Sequence, residues 1–569
     1  MCLRDLAESD MSDPGSPRMS YQAQLESKAS SVVEDLDGKR VLPSKDQAND
    51  LMTAISSNDR EILELETRIR MLRTETKLYQ TFLSPIRILP PEILIHIFRL
   101  VMPKIHTPPK ATGAPLLLCH VCSTWRNIVL NVSDLWSTLV FPMSFSAESE
   151  SSPRSRARRH VELMNFWFKN AKSRPLTFVF RTRERNKLKS FIRPYPKDWQ
   201  VAHVWNSISM ALTSHSTKLQ NLIFYLDDME DLRQFLLSNN LPLPLLKSLV
   251  FRLADLDGEQ WNAYRSSSIE PQWTIFSRAP RLEHMNIQCS SGFHRRLALP
   301  FMRLKMLNLG LVEIGVAEFR ELLAICRLLT RGVFLIGKPE SSHRPLSPTL
   351  HPQSCGNLMN LTLEFSSLWR ADVFLGLTLP SLKALAIGSP DATIRFPWIG
   401  EVHNLSKQIS VHLLSTLSLS HIHISTAELF DVLSNTFKLS RLSIDLDIDI
   451  NRVFQFLIHP SQPPYLHLTK LLYLTIVAPS VPAGEGQPFT PSIFFDMVRS
   501  RGIPKRGTLL LRRVTLFLRG HPRRWIDNDL TPGISQLTRT SAIQIQVTGV
   551  DETFKLWNRL RVTATRDTF

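Results

Sequence analysis

From Leu51 to Leu83, apolar residues return at alternating steps of four and three: Leu51, Ile55, Ile62, Leu65, Ile69, Leu72, Tyr79 and Leu83. Asn58 and Thr76 fill the two polar places in the series. A 3.5-residue period over about four heptads, flanked by Glu, Arg and Lys, predicts either a coiled coil that self-associates or one amphipathic helix packed on the next domain. Asn58 would fix the register of a buried seam. Ser84-Pro85 ends the helix, because proline lacks the amide donor and restricts the residue before it. A second stripe follows in Ile93, Leu94, Ile97, Leu100 and Val101, at steps of one, three and four. Pro90-Pro91 opens it, which suits the first turn of a helix. Residues 103–115 hold four prolines and a glycine and predict a loop; a second helix spans Leu116 to Val129, then Ser133-Asp134-Leu135-Trp136. Val161 to Phe168 predicts a further apolar helix, and Arg174 to Phe180 the first strand.

Beyond residue 200 the pattern changes to apolar-x-x-apolar-x-apolar, and it recurs ten times. Leu219-x-x-Leu222-x-Phe224 is the first unit, Leu358-x-x-Leu361-x-Leu363 a middle one and Leu511-x-x-Val514-x-Leu516 the last. Starts lie 22 to 40 residues apart except for one gap of 54, where a degenerate unit near Val333–Leu335 would bring the mean to about 29. Each period-2 tail predicts a short strand, with helical pieces such as 317–329 and 426–433 between. This spacing is at the long end of leucine-rich repeats. The expected fold class is α/β: a small all-α module followed by an irregular leucine-rich-repeat solenoid with a curved parallel sheet. The Asn or Cys of a regular repeat is missing three residues after every third apolar position, so the turns after the strands must satisfy their backbone otherwise. The expected divisions are a disordered polar tail (1–50), the coiled-coil or amphipathic helix (51–83), the helical module (84–142), a polar linker (143–160) and the repeat region (161–569).

Composition narrows the function classes. The 569 residues are 43% hydrophobic and 21% charged, which excludes a wholly disordered chain. Lys and Arg number 68 against 51 Asp and Glu, a net charge of +17, which favours acidic partners without choosing among them. Six scattered cysteines, no apolar leader in MCLRDLAESD and no long uninterrupted apolar run predict a protein of the cytoplasm or nucleus, neither secreted nor membrane-bound. No P-loop, dinucleotide fingerprint, G-x-S-x-G or H-E-x-x-H occurs, and the expectation is a non-enzyme without cofactor or metal.

The string ILPPEILIHIF, a helix carrying VCSTWRNIVL and then DLW resemble an F-box, in particular that of the large fungal (basidiomycete) group of F-box proteins, where a coiled-coil leader often precedes the box. The match covers residues 88–136, and the Pro-rich insert 103–115 departs from a compact F-box. The resemblance implies a substrate receptor of an SCF-type (cullin–RING) ubiquitin ligase. Its helices would dock on the Skp adaptor, and through it the cullin, while the repeats present a target protein. By the same resemblance Leu89, Pro90, Pro91, Ile93, Leu94 and Ile97, with Val121, Cys122 and Trp125, would contact the adaptor. Cys119-His120-Val121-Cys122 also invites a zinc reading, but one Cys-x-x-Cys without a second ligand pair fits packing residues better.

On the repeat sheet, residues alternating with the core, such as Asn360, Thr362 and Glu364, are expected on the concave face. Candidate target-binding residues are Arg441, Asp445, Tyr473, Arg513, Arg519 and Arg523. Asp445, Asp447 and Asp449, at spacing two, predict a wet edge strand whose like charges repel, or a metal site lacking the usual turn and glycine. Residues 497–526 hold nine Lys or Arg and no Asp or Glu, an anion-binding patch or a solvated basic cap. Two alternatives to a ligase receptor stay open: a nucleic-acid or anion binder using that cluster, with nucleic acid the less favoured partner, and a scaffold that recruits no ligase.

Overall fold

The computed structural model describes residues 30, 42–103, 108–143, 153–182, 198–226, 241–253, 273–288, 297–337, 353–366, 373–374, 376–389, 396–397, 410–458, 468–478, 489–502, 509–520, 525–540 and 543–550. Most of the expected tail and the first half of the expected linker lie outside them, as does Arg523. The chain divides into two compact units, residues 1–96 and 97–569.

The first unit is dominated by one helix, α1 (Lys45–Phe82). Ser44 opens it with a capping box: its hydroxyl accepts from the Gln47 amide, and the Gln47 side chain accepts from the Ser44 amide. The predicted seam lies along a single continuous helix. Helix α2 (Pro91–Val101) begins where the paired prolines place it and crosses the boundary between the units.

In the second unit the expected helix 116–129 is two helices, α3 (Leu116–Val121) and α4 (Ser123–Asn131). Cys122 separates them with an extended backbone, and its sulfur accepts from the Trp125 amide at 3.5 Å as the cap of α4. A short 3₁₀ turn, Ser133–Trp136, runs directly into a strand.

That strand, β1 (Thr138–Met143), lies one place earlier than the first strand the spacing predicts. After it come α5 (Pro153–Asn170), which occupies the second half of the expected linker, β2 (Leu176–Thr182), α6 (Asp198–His215), β3 (Leu219–Leu226), β4 (Ser248–Leu253), β5 (His284–Gln288), β6 (Met306–Ile314), α7 (Val316–Ile325) and β7 (Arg331–Ile336). The rest of the sheet is β8 (Asn360–Phe365), β9 (Ala384–Gly388), β10 (Thr416–Ser420), β11 (Arg441–Asp445), β12 (Tyr473–Ala478), β13 (Arg513–Arg519) and β14 (Gln544–Val550). Helices α8 (Thr426–Ser434), α9 (Ile450–Leu457), α10 (Pro491–Gly502) and α11 (Thr531–Thr540) fall between the later strands. These fourteen strands form one sheet, parallel throughout and in chain order, and four two-residue strands make two further parallel pairs, 353–354 with 377–378 and 396–397 with 422–423, so the class is α/β.

The second and third apolar positions of the recurring unit become two continuous rows across this sheet. One row passes Leu385, Leu417, Leu442, Leu474 and Val514; the next passes Ile387, Leu419, Ile444, Ile476 and Leu516. Each of these side chains is buried, worth roughly 1.5–3 kcal/mol apiece against full exposure. At the amino end the second row is aromatic: Phe180 stacks on Phe224 at 5.2 Å and Phe224 on Phe251 at 5.1 Å.

Strand β7 fills the 54-residue gap, where Gly332 stands in the leucine row beside Leu307 and Leu361. The reason is steric. A Cβ on Gly332 would lie 2.5 Å from the ring of Phe334, which takes the space a leucine would use. Gly332→Ala is therefore expected to destabilise the fold by about 1–3 kcal/mol through overpacking. Phe334→Leu in the same chain should recover most of that loss; a urea midpoint unchanged by Gly332→Ala would contradict the steric account.

The turns after the strands use no Asn or Cys ladder. At the corresponding positions Val312 and Ile422 are buried apolar groups, and the Ser366 hydroxyl donates to Glu313 at 2.9 Å. Backbone bonds carry the rest, for example Gly337 N–H to Ile314 O at 3.0 Å and His421 N–H to Asp445 O at 2.8 Å.

Candidate functional site

Helix α2 is two-faced. Leu94 and Phe98 are buried, whereas Ile93 is 49% exposed and Leu100 and Val101 are also exposed. Of the other residues implied as adaptor contacts in the first unit, Pro90 and Pro91 are exposed and Leu89 is half-buried. Leu94 is therefore a core residue and not a surface one, while Ile88, at 82%, is far more open than Leu89. Within the second unit Val121 is exposed, with Leu117 one turn before it. Ile97, Cys122 and Trp125 are half-buried. The Trp125 ring lies 4.8 Å from Phe98, and Cys122 is engaged as a helix cap. Both therefore hold the helices together as well as lining their surface. Asp134 fixes the end of α2: Arg99 Nη2 and Arg174 Nε each donate to its carboxylate at 2.8 Å.

On the second unit's sheet, exposure falls along β8, β11 and β13 on the face opposite the leucine rows. Asn360 is exposed, Thr362 half-buried and Glu364 buried; Arg441, Ser443 and Asp445 repeat the order. On these strands the accessible part of the face is thus its amino-terminal margin. There Arg441 lies over the Tyr473 ring at 4.7 Å, and Arg513 Nε donates to Gln544 at 2.9 Å.

A hollow of about 590 Å³ opens at the same margin, lined by Lys383, Lys438 and Lys470 with Ser381, Ser415 and Met359. The backbone there is fixed by consecutive cross-strand bonds of about one length: Lys383 N–H to Met359 O, Ser415 N–H to Lys383 O and Ser440 N–H to Ser415 O, each 2.8 Å. The three ammonium groups have no carboxylate partner among the described residues. Together with Arg441, Arg512 and Arg513 they form a margin suited to carboxylates or phosphates. None of the three lysines stood out in the sequence. The available signal was their place in the repeat: Lys438 and Lys470 directly precede a unit's first leucine, and Lys383 directly follows one.

The expected acidic strand face is overturned. The strand β11 ends at Asp445, Asp447 falls in a bend, and Asp449 caps α9 by accepting from the Asn451 amide at 2.9 Å. Asp445 is only 1% exposed on an interior strand, so it is neither wet nor at an edge. Arg519 Nη2 donates to both its oxygens, at 2.8 and 2.9 Å, and Ser420 Oγ donates at 3.3 Å. His421 is buried beside them, with Nε2 3.5 Å from the carboxylate and its backbone in the left-handed region at φ 53°. Asp445 and Arg519 thus neutralise each other inside the fold and are withdrawn as target contacts.

The basic cluster 497–526 likewise does not form one patch. Arg499 pairs with Asp496 at 3.2 Å, and Arg519 is taken by Asp445. Arg501 is buried and donates to Leu457 O at 2.7 Å and Leu468 O at 2.8 Å, so it caps the carboxyl end of α9. Burial pushes its pKa down to about 10, which leaves it cationic at neutral pH. Of the cluster, Arg512 and Arg513 remain on the open margin, and Lys505, Arg506, Arg523 and Arg524 lie outside the described residues. No protein-family model matches the chain, and no curated protein matches it.

Proposed function

We propose that the chain is the substrate-recognition subunit of an SCF-type ubiquitin ligase, with F-box helices within 84–142 that dock on the Skp adaptor and a leucine-rich-repeat-like solenoid that holds the target. The observation that carries this reading is α2, which keeps Ile93, Leu100 and Val101 open to solvent on a helix begun by two prolines. A soluble fold rarely leaves such side chains together on one short helix unless a partner covers them. The order of α2, the helix pair and Asp134-Leu135-Trp136 is also that of the F-box resemblance. The chain does no bond chemistry in this role; it raises the effective concentration of a target beside the conjugating enzyme. The lysine and arginine margin selects an acidic or phosphorylated segment of that target.

Co-expression of the full chain with a tagged Skp adaptor tests the reading. Capture is expected, and Ile93→Asp with Leu100→Asp should reduce it at least tenfold without moving the unfolding midpoint, because both positions are exposed. Undiminished capture by that variant would remove the ligase role. Lys383→Glu, Lys438→Glu and Lys470→Glu together should leave adaptor capture intact and abolish binding of a polyglutamate probe. Probe binding to the natural chain should weaken steeply between low and physiological salt.

A further inference from the structure

Helix α1 carries the longest run of uncovered apolar side chains among the described residues. Its seam positions Ile55, Ile62, Leu65, Ile69, Leu72 and Tyr79 are 46 to 60% exposed. The 38-residue helix is roughly 57 Å long. A stripe of this kind on a helix is stable in water when a neighbour buries it. In heptad terms Ile55, Ile62 and Ile69 occupy a positions, and Leu51, Leu65 and Leu72 occupy d positions. In parallel coils isoleucine at a with leucine at d favours two strands; in an antiparallel pair the same two residue types share the central layers, Ile62 with Leu72 and Leu65 with Ile69 of the second copy.

The flanking charges choose the direction. In a parallel pair in register, Glu61 would face Glu66 of the second copy and Arg68 would face Arg73 of the second copy, so every charged contact repels. In an antiparallel pair centred on Thr67, Asp59 faces Arg73 of the second copy at both ends. The two polar seam residues also meet: Asn58 lies opposite Thr76 of the second copy, amide against hydroxyl, where a parallel pair would set each against its own copy. The like-signed contacts that remain are Glu61 with Glu75 and the central Glu66 and Arg68 with their own copies; Glu66 has Arg70 beside it on its own helix at 3.9 Å.

We propose that α1 pairs with α1 of a second copy of this chain as an antiparallel two-stranded coiled coil centred on Thr67. Ten seam layers close over about 50 Å. The segments that follow Leu83 leave from opposite ends of the pair. This pairing does not depend on what the second unit binds.

Sedimentation equilibrium of the full chain at micromolar concentration is the test. The expected mass is twice the 65.1 kDa of one chain. Ile62→Asp with Ile69→Asp should give single chains. Arg73→Glu should raise the dissociation constant about five- to tenfold, because both Asp59 contacts become repulsive. Adding Asp59→Arg should restore it. A single-chain mass at all concentrations, or a mass of three or four chains, would overturn the proposal. So would a dimer unaffected by the aspartates at 62 and 69. A dimer tightened by Arg73→Glu would overturn the antiparallel arrangement, since that change relieves repulsion in a parallel pair.

Discussion

Arg519→Met is expected to destabilise the second unit by about 3–5 kcal/mol, far more than any exposed arginine would. Asp445 is 1% exposed, and Arg519, with 14% of its side chain exposed, supplies both of the carboxylate's short guanidinium bonds. Removing the cation leaves an anion in the sheet interior beside the Ser420 hydroxyl at 3.3 Å and the His421 ring at 3.5 Å. A buried charge stripped of its counter-charge is among the costliest point changes. Removing both charges is different. Asp445→Leu with Arg519→Met exchanges a desolvated ion pair for apolar groups and should recover most of the stability lost in the single variant. Urea unfolding of the three variants decides it. Equal losses for the single and double variants would mean that Arg519 acts through its packing and not through its charge.

The leucine rows were legible because burial on one sheet face demands an apolar residue at every second position, whatever the loops do. Strand β1 had the same signal in altered form: Trp136-x-x-Leu139-x-Phe141 is the recurring unit with tryptophan in place of the first leucine. The unit anticipated near Val333–Leu335 is β7, and Gly332 makes it degenerate because the compensating ring belongs to Phe334, two residues along the same face. The opposite face was not legible. Whether Asp445 is wet depends on Arg519, which is 74 residues away in sequence and two strands away in the sheet, on the order of 10 Å. Adjacent aspartates in the chain suggested repulsion; the sheet supplied the cation. The same holds for residues 497–526, where helix α10 buries Arg501 against the end of α9 and the strand β13 turns Arg519 inward, so neighbours in sequence serve unrelated ends. Helix α2 was read correctly as one amphipathic helix, but which apolar residues face solvent was not: Leu94 and Ile93 are adjacent and opposite in fate.

Trp136 is the place where the helices and the sheet share a core, and Trp136→Ala is expected to cost about 3–5 kcal/mol. The side chain is completely buried. Its Nε1–H donates to Val129 O at 2.8 Å, at the end of α4. Its ring meets Trp167 edge-on at 4.9 Å and Phe166 at 5.3 Å, both on α5. Two residues later the chain enters β1, whose Leu139 and Phe141 are buried in the sheet. One tryptophan therefore ties α4, α5 and the first strand together, so the helix pair and the sheet should unfold in one transition. Trp136→Leu supplies the apolar residue used by the other units but leaves Val129 O with only the Val132 amide, at 3.3 Å. It should fall between the natural protein and the alanine variant, since the lost hydrogen bond is worth about 1 kcal/mol and the rest is volume. Circular dichroism through a urea series gives the order. An alanine variant within 1 kcal/mol of the natural protein, or one in which helix and sheet signals melt apart from the start, would show that the helices stand on the sheet without sharing its core.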